Sequence, residues 1–324
     1  MELWTDIINP ADLTGFARET AETYDQGSLA ALLPNIPVDD VVFSWNVGEK
    51  VTDVAEYRSF DAETPIGNAP GVEQKTARLA PLGLKKRFSE YDQLRRRSAN
   101  SPETVQAAAD RLAAEVARAT VDRAERARGE ALVTGKLAIN ENGFIQNVDF
   151  GRRADFTITA VTLWSAAGAS PLDDLEAWNA AYIEENGTAP TSILVSSRVM
   201  SALVKKLRDQ LGAGAPTVFT RNNANEIIAG YGLPVPTVYD RRVGGARVTA
   251  DDRVIFAGTG VGGTVWGTTV EADDPRYNLT GGDLPGMVVG AYNADDPATK
   301  WVRANAIALP ILGDPNLSLA ARVL

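Results

Sequence analysis

Residues 101–134 read SPETVQAAADRLAAEVARATVDRAERARGEALVT, and this stretch constrains the rest of the chain most. Ser101 can cap a helix with its hydroxyl, and Pro102 suits the first turn, where its missing N–H costs nothing. Val105, Ala109, Leu112 and Val116 recur at the spacing of one helical face. Charges four apart, Arg111 with Glu115 and Asp122 with Arg126, can pair along the other faces. The apolar stripe is thin and rich in alanine, so the helix is expected to lie against one surface and stay wet elsewhere. Gly129 interrupts the pattern, and Gly135 is the better terminator. A helix over 101–134 is a rod of roughly 50 Å. It either belongs to an ordinary domain or braces an extended subunit, and the flanking sequence must decide.

Composition removes many chemistries. With no Cys and no His among 324 residues, the chain has no disulfide, thiolate nucleophile, Ser–His–Asp triad or Cys/His zinc site. The opening MELWTDIINP lacks the basic-then-apolar pattern of a signal peptide, and no apolar run is long enough to span a membrane. The net charge of −10 is unevenly spread. Residues 1–84 hold 5 basic and 14 acidic side chains, whereas residues 85–130 hold 11 basic and 8 acidic. An acidic balance disfavours tight duplex recognition. The acidic first third beside a basic middle reads either as chain-to-chain complementarity or as an uneven surface.

The first third does not read as a compact domain. Asn9-Pro10 opens a short helix with Leu13, Phe16, Ala17, Thr20 and Tyr24 at helical spacing, and Gly27 can end it. Val41, Phe43 and Trp45 alternate as in a strand. Two strands, about 50–62 and 72–88, are expected around a Pro/Gly/Asn-rich tip from Thr64 to Gly71. A long two-stranded arm is marginal alone, so another subunit is the expected surface for it.

After the rod, Asn142-Gly143 signals a hairpin, followed by an expected long strand from Phe144 to Thr159. Ser170-Pro171 opens a helix to about Asn186, with Ser170 as cap, Asp173 three residues on and Gly187 as stop. Thr191–Val195 reads as a strand, Ser196 caps a helix ending at Gly212, and a short helix follows near Asn223 to Ala229. Further strands are expected at Val235–Tyr239 and Arg253–Ala257. The final KWVRANAIALPILGDPNLSLAARVL alternates like a strand returning to the rod's sheet, which makes the middle an insertion.

No motif reads as catalytic, cofactor-binding or metal-binding. Gly258-Thr-Gly260-Val-Gly-Gly263 matches the dinucleotide pattern literally, but the β-like TVWGTTVEA follows where a helix is needed, so it reads as a glycine-rich turn. Asp39-Asp40, Asp173-Asp174, Asp251-Asp252, Asp273-Asp274 and Asp295-Asp296 could serve acid–base or metal chemistry, but mostly sit at turns and caps. Arg95-Arg96-Arg97, near Lys85-Lys86-Arg87, reads as a solvated face or as a site for phosphates or an acidic neighbour. The sequons at Asn186, Asn278 and Asn316 carry no weight without a secretion signal.

The order of parts resembles the major capsid proteins of tailed bacteriophages, the Hong Kong 97-type fold, and within them the capsid protein E branch. The text that carries the resemblance is AEYRSFDAETPIG, RLAPLGLKKRFSE, GGTVWGTTVEADD and NAIALPILGDPNLS, spread over essentially the whole chain. The resemblance implies an α+β fold with an N-terminal arm (1–48), an extended hairpin loop (49–88), a peripheral domain (89–159 and 299–324) holding the spine helix, and an inserted axial domain (160–298). It implies a structural subunit, not an enzyme, that forms hexamers and pentamers of an icosahedral head around double-stranded DNA contacted non-specifically. Expected partners are other copies, a separate scaffolding protein, a portal protein and a decoration protein. The virion is its expected place, with assembly in the host cytoplasm. The extended loop and spine supply the expected intersubunit residues: Tyr57, Arg58, Phe60, Asp61, Pro65, Ile66, Arg95, Arg96, Arg111 and Arg118. Some relatives crosslink Lys to Asn, and Lys50 and Lys75 flank the loop, but no spacing identifies partners and no crosslink is expected. An encapsulin-like compartment shell shares the resemblance. A carboxylate-dependent hydrolase is the alternative of another class.

Overall fold

The computed structural model describes residues 2, 3, 5, 8–48, 57–60, 63, 72–88, 102–214, 216, 218–295 and 298–324. Two helices cross the first half. Helix α1 (Pro10–Asp25) is capped by the Asn9 side chain, which accepts from the Ala11 amide at 3.0 Å. Helix α2 (Pro102–Thr134) is the expected rod, 33 residues long. Ser101, its expected cap, lies outside the described residues. Gly135 ends it with φ +68° and donates to the Ala131 carbonyl. Arg152 reaches back to the last turn and donates to the Leu132 and Val133 carbonyls at 2.7 and 2.8 Å. A cation there satisfies orphan carbonyls and complements the helix dipole. Burial, with nearby Arg253 adding to it, pushes the Arg152 guanidinium down to about 10.

The first sheet is built around β16 (Ala298–Ile311). Strands β15 (Val288–Asp295) and β14 (Gly263–Gly267) pair antiparallel with it, end to end along one side. On the other side runs β5 (Ala80–Phe88), with Lys86 opposite Val302. Short strands β1 (Glu2–Leu3) and β2 (Asn35–Pro37) extend β15 and β14. Val302, Ala304 and Ala306 alternate inward from β16 and meet Leu13 and Ala17 of α1 and Ala109, Leu112, Ala113 and Val116 of α2.

The second sheet has the order β10 (Pro236–Val238), β9 (Ser192–Val195), β13 (Arg253–Ala257), β17 (Ser318–Arg322), β8 (Thr157–Thr159). Both faces are covered. Ile193, Val195, Val254, Phe256, Leu319 and Ala321 face helices α3 (Pro171–Asn186), α4 (Ser197–Leu211) and α5 (Arg221–Gly230). Leu194, Ile255 and Ala320, one residue out of phase, face Ala127, Ala131 and Leu132 of α2. A sheet buried on both sides reads in sequence as continuous apolar runs, here SILV and RVIFA. The sheets do not part where the chain was expected to part. Strands β14 and β15, from the expected insertion, belong to the first sheet, and β17, from the C-terminal return, lies inside the second.

Several local expectations differ from the structure. The text from Phe144 to Thr159 is not one strand: β7 (Phe144–Asp149) pairs with β6 (Lys136–Glu141) through the Asn142-Gly143 turn, and Gly151 at φ +83° then breaks the run before β8. The Ser170 hydroxyl does not cap α3 but accepts from the Gln210 amide at 2.7 Å. The expected helix pairs give way to tertiary ones. Asp122 meets Arg241 at 3.2 Å, and Glu115 meets Lys86 at 2.5 Å.

The rod is also not wet along its far half, because it runs between the two sheets. Its Glu125 and Arg128 are fully buried. All five N–H groups of Arg128 find acceptors. Nε donates to Thr264 Oγ1 at 2.7 Å, Nη1 to Asp25 Oδ1 and Glu125 Oε2 at 2.8 and 3.0 Å, and Nη2 to Asp25 Oδ2 and Asn35 Oδ1 at 3.1 and 2.6 Å. Glu125 Oε1 accepts from the Leu29 amide at 2.8 Å and from the Tyr239 hydroxyl. Burial and the hydrogen bond to Glu125 push the Tyr239 phenol up. For Asp25 burial acts upward, but Arg128, Ser28 and Asn35 outweigh it and hold the carboxyl below its ordinary range.

Gly129 sits one residue on, where Val248 crosses the helix. A Cβ there would lie 2.3 Å from the Val248 carbonyl oxygen. In an open helix Gly129→Ala would stabilise by about 1 kcal/mol. Here backbone must move, and overpacking of this kind costs about 1–3 kcal/mol, so the variant is expected to lower the denaturant midpoint of the isolated subunit. Asp25→Asn tests the buried network through pH. Because the native carboxyl titrates below its unfolded value near 4, its contribution is complete at neutral pH and fades as pH falls below about 4. The variant is expected to be less stable at pH 7 and to lose less stability than the parent on acidification, as read by denaturant titration at each pH.

Candidate assembly surface

The hairpin expected to leave the body begins in regular structure. Strand β3 (Val42–Gly48) pairs antiparallel with β4 (Val72–Arg78), Trp45 opposite Lys75. This differs from the sequence expectation, which paired 50–62 with 72–88. Alternation explains the change. Phe43, Trp45 and Val47 share one face and pack on the core beside Phe150, with Trp45 and Phe150 ring centroids 6.1 Å apart. Residues 72–88 are split between two sheets, β4 pairing with β3 and β5 with β16. Lys75 Nζ ties the root down by donating to the Phe150 carbonyl at 3.1 Å. The root therefore rests on its own chain.

Residues 49–71 connect β3 to β4. Of these, 57–60 and 63 are described and lie in no strand. Tyr57 and Phe60 expose 108% and 100% of their surface, and Arg58, also exposed, donates to the Ser59 carbonyl at 3.4 Å. Asp61, Pro65, Ile66, Arg95 and Arg96 lie outside the described residues, as do Lys50, the tip from Thr64 to Gly71 and Asp296. Arg111 and Arg118 are exposed on α2, two turns apart, and Arg118 lies 5.7 Å from the Tyr24 ring centroid. Beside them the Lys86 ammonium holds the Glu115 carboxyl below its usual range. The described residues thus divide the expected contacts into three exposed loop residues, Tyr57, Arg58 and Phe60, and two exposed arginines on the helix.

Several of the motifs weighed for chemistry serve turns, caps and packing. Strand β14, not a helix, follows the glycine-rich turn, and a Cβ at Gly262 would lie 2.0 Å from the Ile311 carbonyl oxygen. Asp39 accepts from Thr268, Asp174 from the Trp164 indole, Asp252 meets Arg322, and Asp274 caps its own turn and meets Arg276. Among the described residues no group of three or more acidic side chains is arranged to hold a metal ion, and no helix is long and apolar enough to cross a membrane. The buried Asp25–Arg128–Glu125 cluster was missed by sequence reasoning. Its one legible signal was two opposite charges three apart in an alanine-rich stretch, which also fits a solvated face.

The family profile described as phage major capsid protein E matches residues 21–323. The chain belongs to that family. Its role is accordingly structural, as a component of the capsid and hence of the virion. The same fold recurs at low sequence identity. A protein from an E. coli CFT073 prophage, assigned as a capsid protein, superposes with a TM-score of 0.64 at 13% identity, covering 98% of this chain and 99% of its own. A phage-related protein from Bordetella bronchiseptica RB50 gives 0.56 at 13% identity, covering 96% and 95%. A virus-like particle protein from Pyrococcus furiosus gives 0.51 at 10% identity, covering 96% and 98%. The α+β fold expected from the resemblance, of the Hong Kong 97 type, is the one found. Comparison with curated proteins gives no match.

If the hairpin root belongs to the body, truncating its anchor must destabilise the lone subunit. Trp45→Ala is expected to cost about 3–5 kcal/mol in denaturant unfolding of unassembled protein. An unchanged midpoint would mean that this packing contributes nothing outside an assembly.

Proposed function

We propose that this capsid protein is the major shell subunit, and that copies close into hexamers and pentamers of an icosahedral head enclosing double-stranded DNA. The observation that carries the reading is the fully exposed Tyr57 and Phe60, on a loop whose root is fixed to the body. Apolar surface of that size is stabilised when a neighbouring copy covers it. Head-to-tail contacts between identical subunits close into rings, and obligate interfaces bury upward of about 2,000 Å². In this reading residues 49–71 overlie the adjoining subunit, where Asp61, Pro65 and Ile66 join Tyr57, Arg58 and Phe60. Arg95, Arg96, Arg111 and Arg118 meet its acidic surface. The first sheet with α2 forms the peripheral part of each subunit, and the second sheet with α3 to α5 the axial part. Assembly takes place in the host cytoplasm on a separate scaffolding protein, with a portal at one vertex and a decoration protein outside. The net acidic chain suits DNA that must enter and leave without being held.

Replacing residues 52–69 by a short Gly-Ser turn tests this while leaving β3 and β4 intact. The variant is expected to keep the parent's circular dichroism and unfolding midpoint and to sediment as small species where the parent forms particles. Normal particles from the shortened chain would refute the loop's role.

A further inference from the structure

The second sheet carries oppositely charged flanks. Helix α3 is fastened at the β17 side, where Tyr182 donates to the Leu317 carbonyl at 3.1 Å and Asn186 to the Asn316 carbonyl at 3.0 Å. Its outward positions are Asp173, Glu176, Ala177, Ala180 and Glu184, all exposed and at helical spacing. The helix has no basic residue. Asp173, Glu176 and Glu184 meet no cation among the described residues, whereas inward-lying Asp174 and Glu185 are taken by Trp164 and Arg153. Alanines between the carboxylates let another surface approach closely.

At the other end of the sheet, beside edge strand β10, an open groove of about 480 Å³ separates α4 from the start of α5. Val204, Phe219 and Val238 line it, and Lys205, Arg208 and Arg221 stand at its rim. Lys205 and Arg221 make no ion pair among the described residues, and Arg208 meets only its neighbour Asp209, at 3.2 Å. Lys205 and Arg208 are three apart on α4, the same spacing as Asp173 and Glu176 on α3. The groove lies beside edge strand β10 whereas α3 is fastened near β17, so the acidic and basic surfaces are separate parts of one helical layer.

We infer that the α4–α5 groove receives the acidic, alanine-lined face of α3 from a second copy. This rests on the shell reading above and specifies its axial contact. A single flank pairing with itself would bring like charges together. Pairing with the opposite flank matches three carboxylates to three cations and generates a head-to-tail ring. The apolar floor supplies non-directional attraction, and the rim charges fix register. Because the rim is exposed, salt must weaken the contact.

The test is charge reversal followed by particle sedimentation at fixed protein concentration and low salt. Lys205→Glu, Arg208→Glu and Arg221→Glu together are expected to raise the concentration needed for assembly at least tenfold, with circular dichroism and unfolding midpoint unchanged. Adding Asp173→Lys, Glu176→Lys and Glu184→Lys to the same chain is expected to restore assembly, since the flanks are then exchanged. Should the reversed chain misfold, Lys205→Gln, Arg208→Gln and Arg221→Gln must lower the sensitivity of assembly to salt relative to the parent. Reversed chains that assemble like the parent would overturn the pairing, and fewer nucleotides per particle in that case would assign the groove to packaged nucleic acid. A six-fold variant that fails to recover would overturn it equally. A parent chain that forms no particles at any concentration would instead sink the shell reading itself.

Discussion

A buried guanidinium and the carboxylate beside it tie the two sheets to the rod. Arg128 sits on the buried half of α2 and spends all its donors on four partners from different parts of the chain: Asp25 ends α1, Asn35 belongs to β2, Thr264 to β14, and Glu125 lies one turn back on α2. Glu125 in turn accepts from Leu29 and Tyr239, the latter next to β10. Burying such charges is unfavourable unless every lone pair and proton is matched. Here they are matched, so losing a charged partner costs about 3–5 kcal/mol. The network selects one arrangement of α1, both sheets and the rod out of many that an alanine-rich surface would tolerate.

A body fixed this way can present surfaces that it does not itself fill. The root of the β3–β4 hairpin is anchored by Trp45 and Lys75, yet the residues beyond it put Tyr57 and Phe60 into water. The second sheet is buried on both faces, yet its helical layer carries Asp173, Glu176, Glu184, Lys205 and Arg221, which make no ion pair among the described residues. A subunit destined for a shell needs both properties. The interior must be rigid so that a contact made once is repeated in every copy, and the contact surfaces must be costly to leave bare.

Local signals made much of this legible in the sequence. Pro102 and Gly135 delimit α2 and Gly187 ends α3, while Asn142-Gly143 forms the β6–β7 turn and RVIFA is β13. Each depends on backbone chemistry within a few residues. What depended on distant partners was not legible. Arg128 and Glu125 read as solvated because nothing nearby reveals a second sheet above them. Asp122 had Arg126 in reach on the helix, but Arg241 arrives from 119 residues away. The partner of β4 was misplaced because both 42–48 and 50–62 alternate plausibly, and only packing on Phe150 distinguishes them. Gly129 read as an interruption, whereas it is the point where Val248 passes. The intersubunit residues rest on a resemblance in text, since a lone chain carries little record of surfaces completed by another copy.

The most direct test is imaging of the purified, unmodified chain by electron cryomicroscopy across protein concentration and salt. The account predicts closed particles of uniform diameter in which residues 49–71 of each copy lie on the next. A compact monomer under every condition, with Tyr57 and Phe60 folded onto its own body, would contradict it.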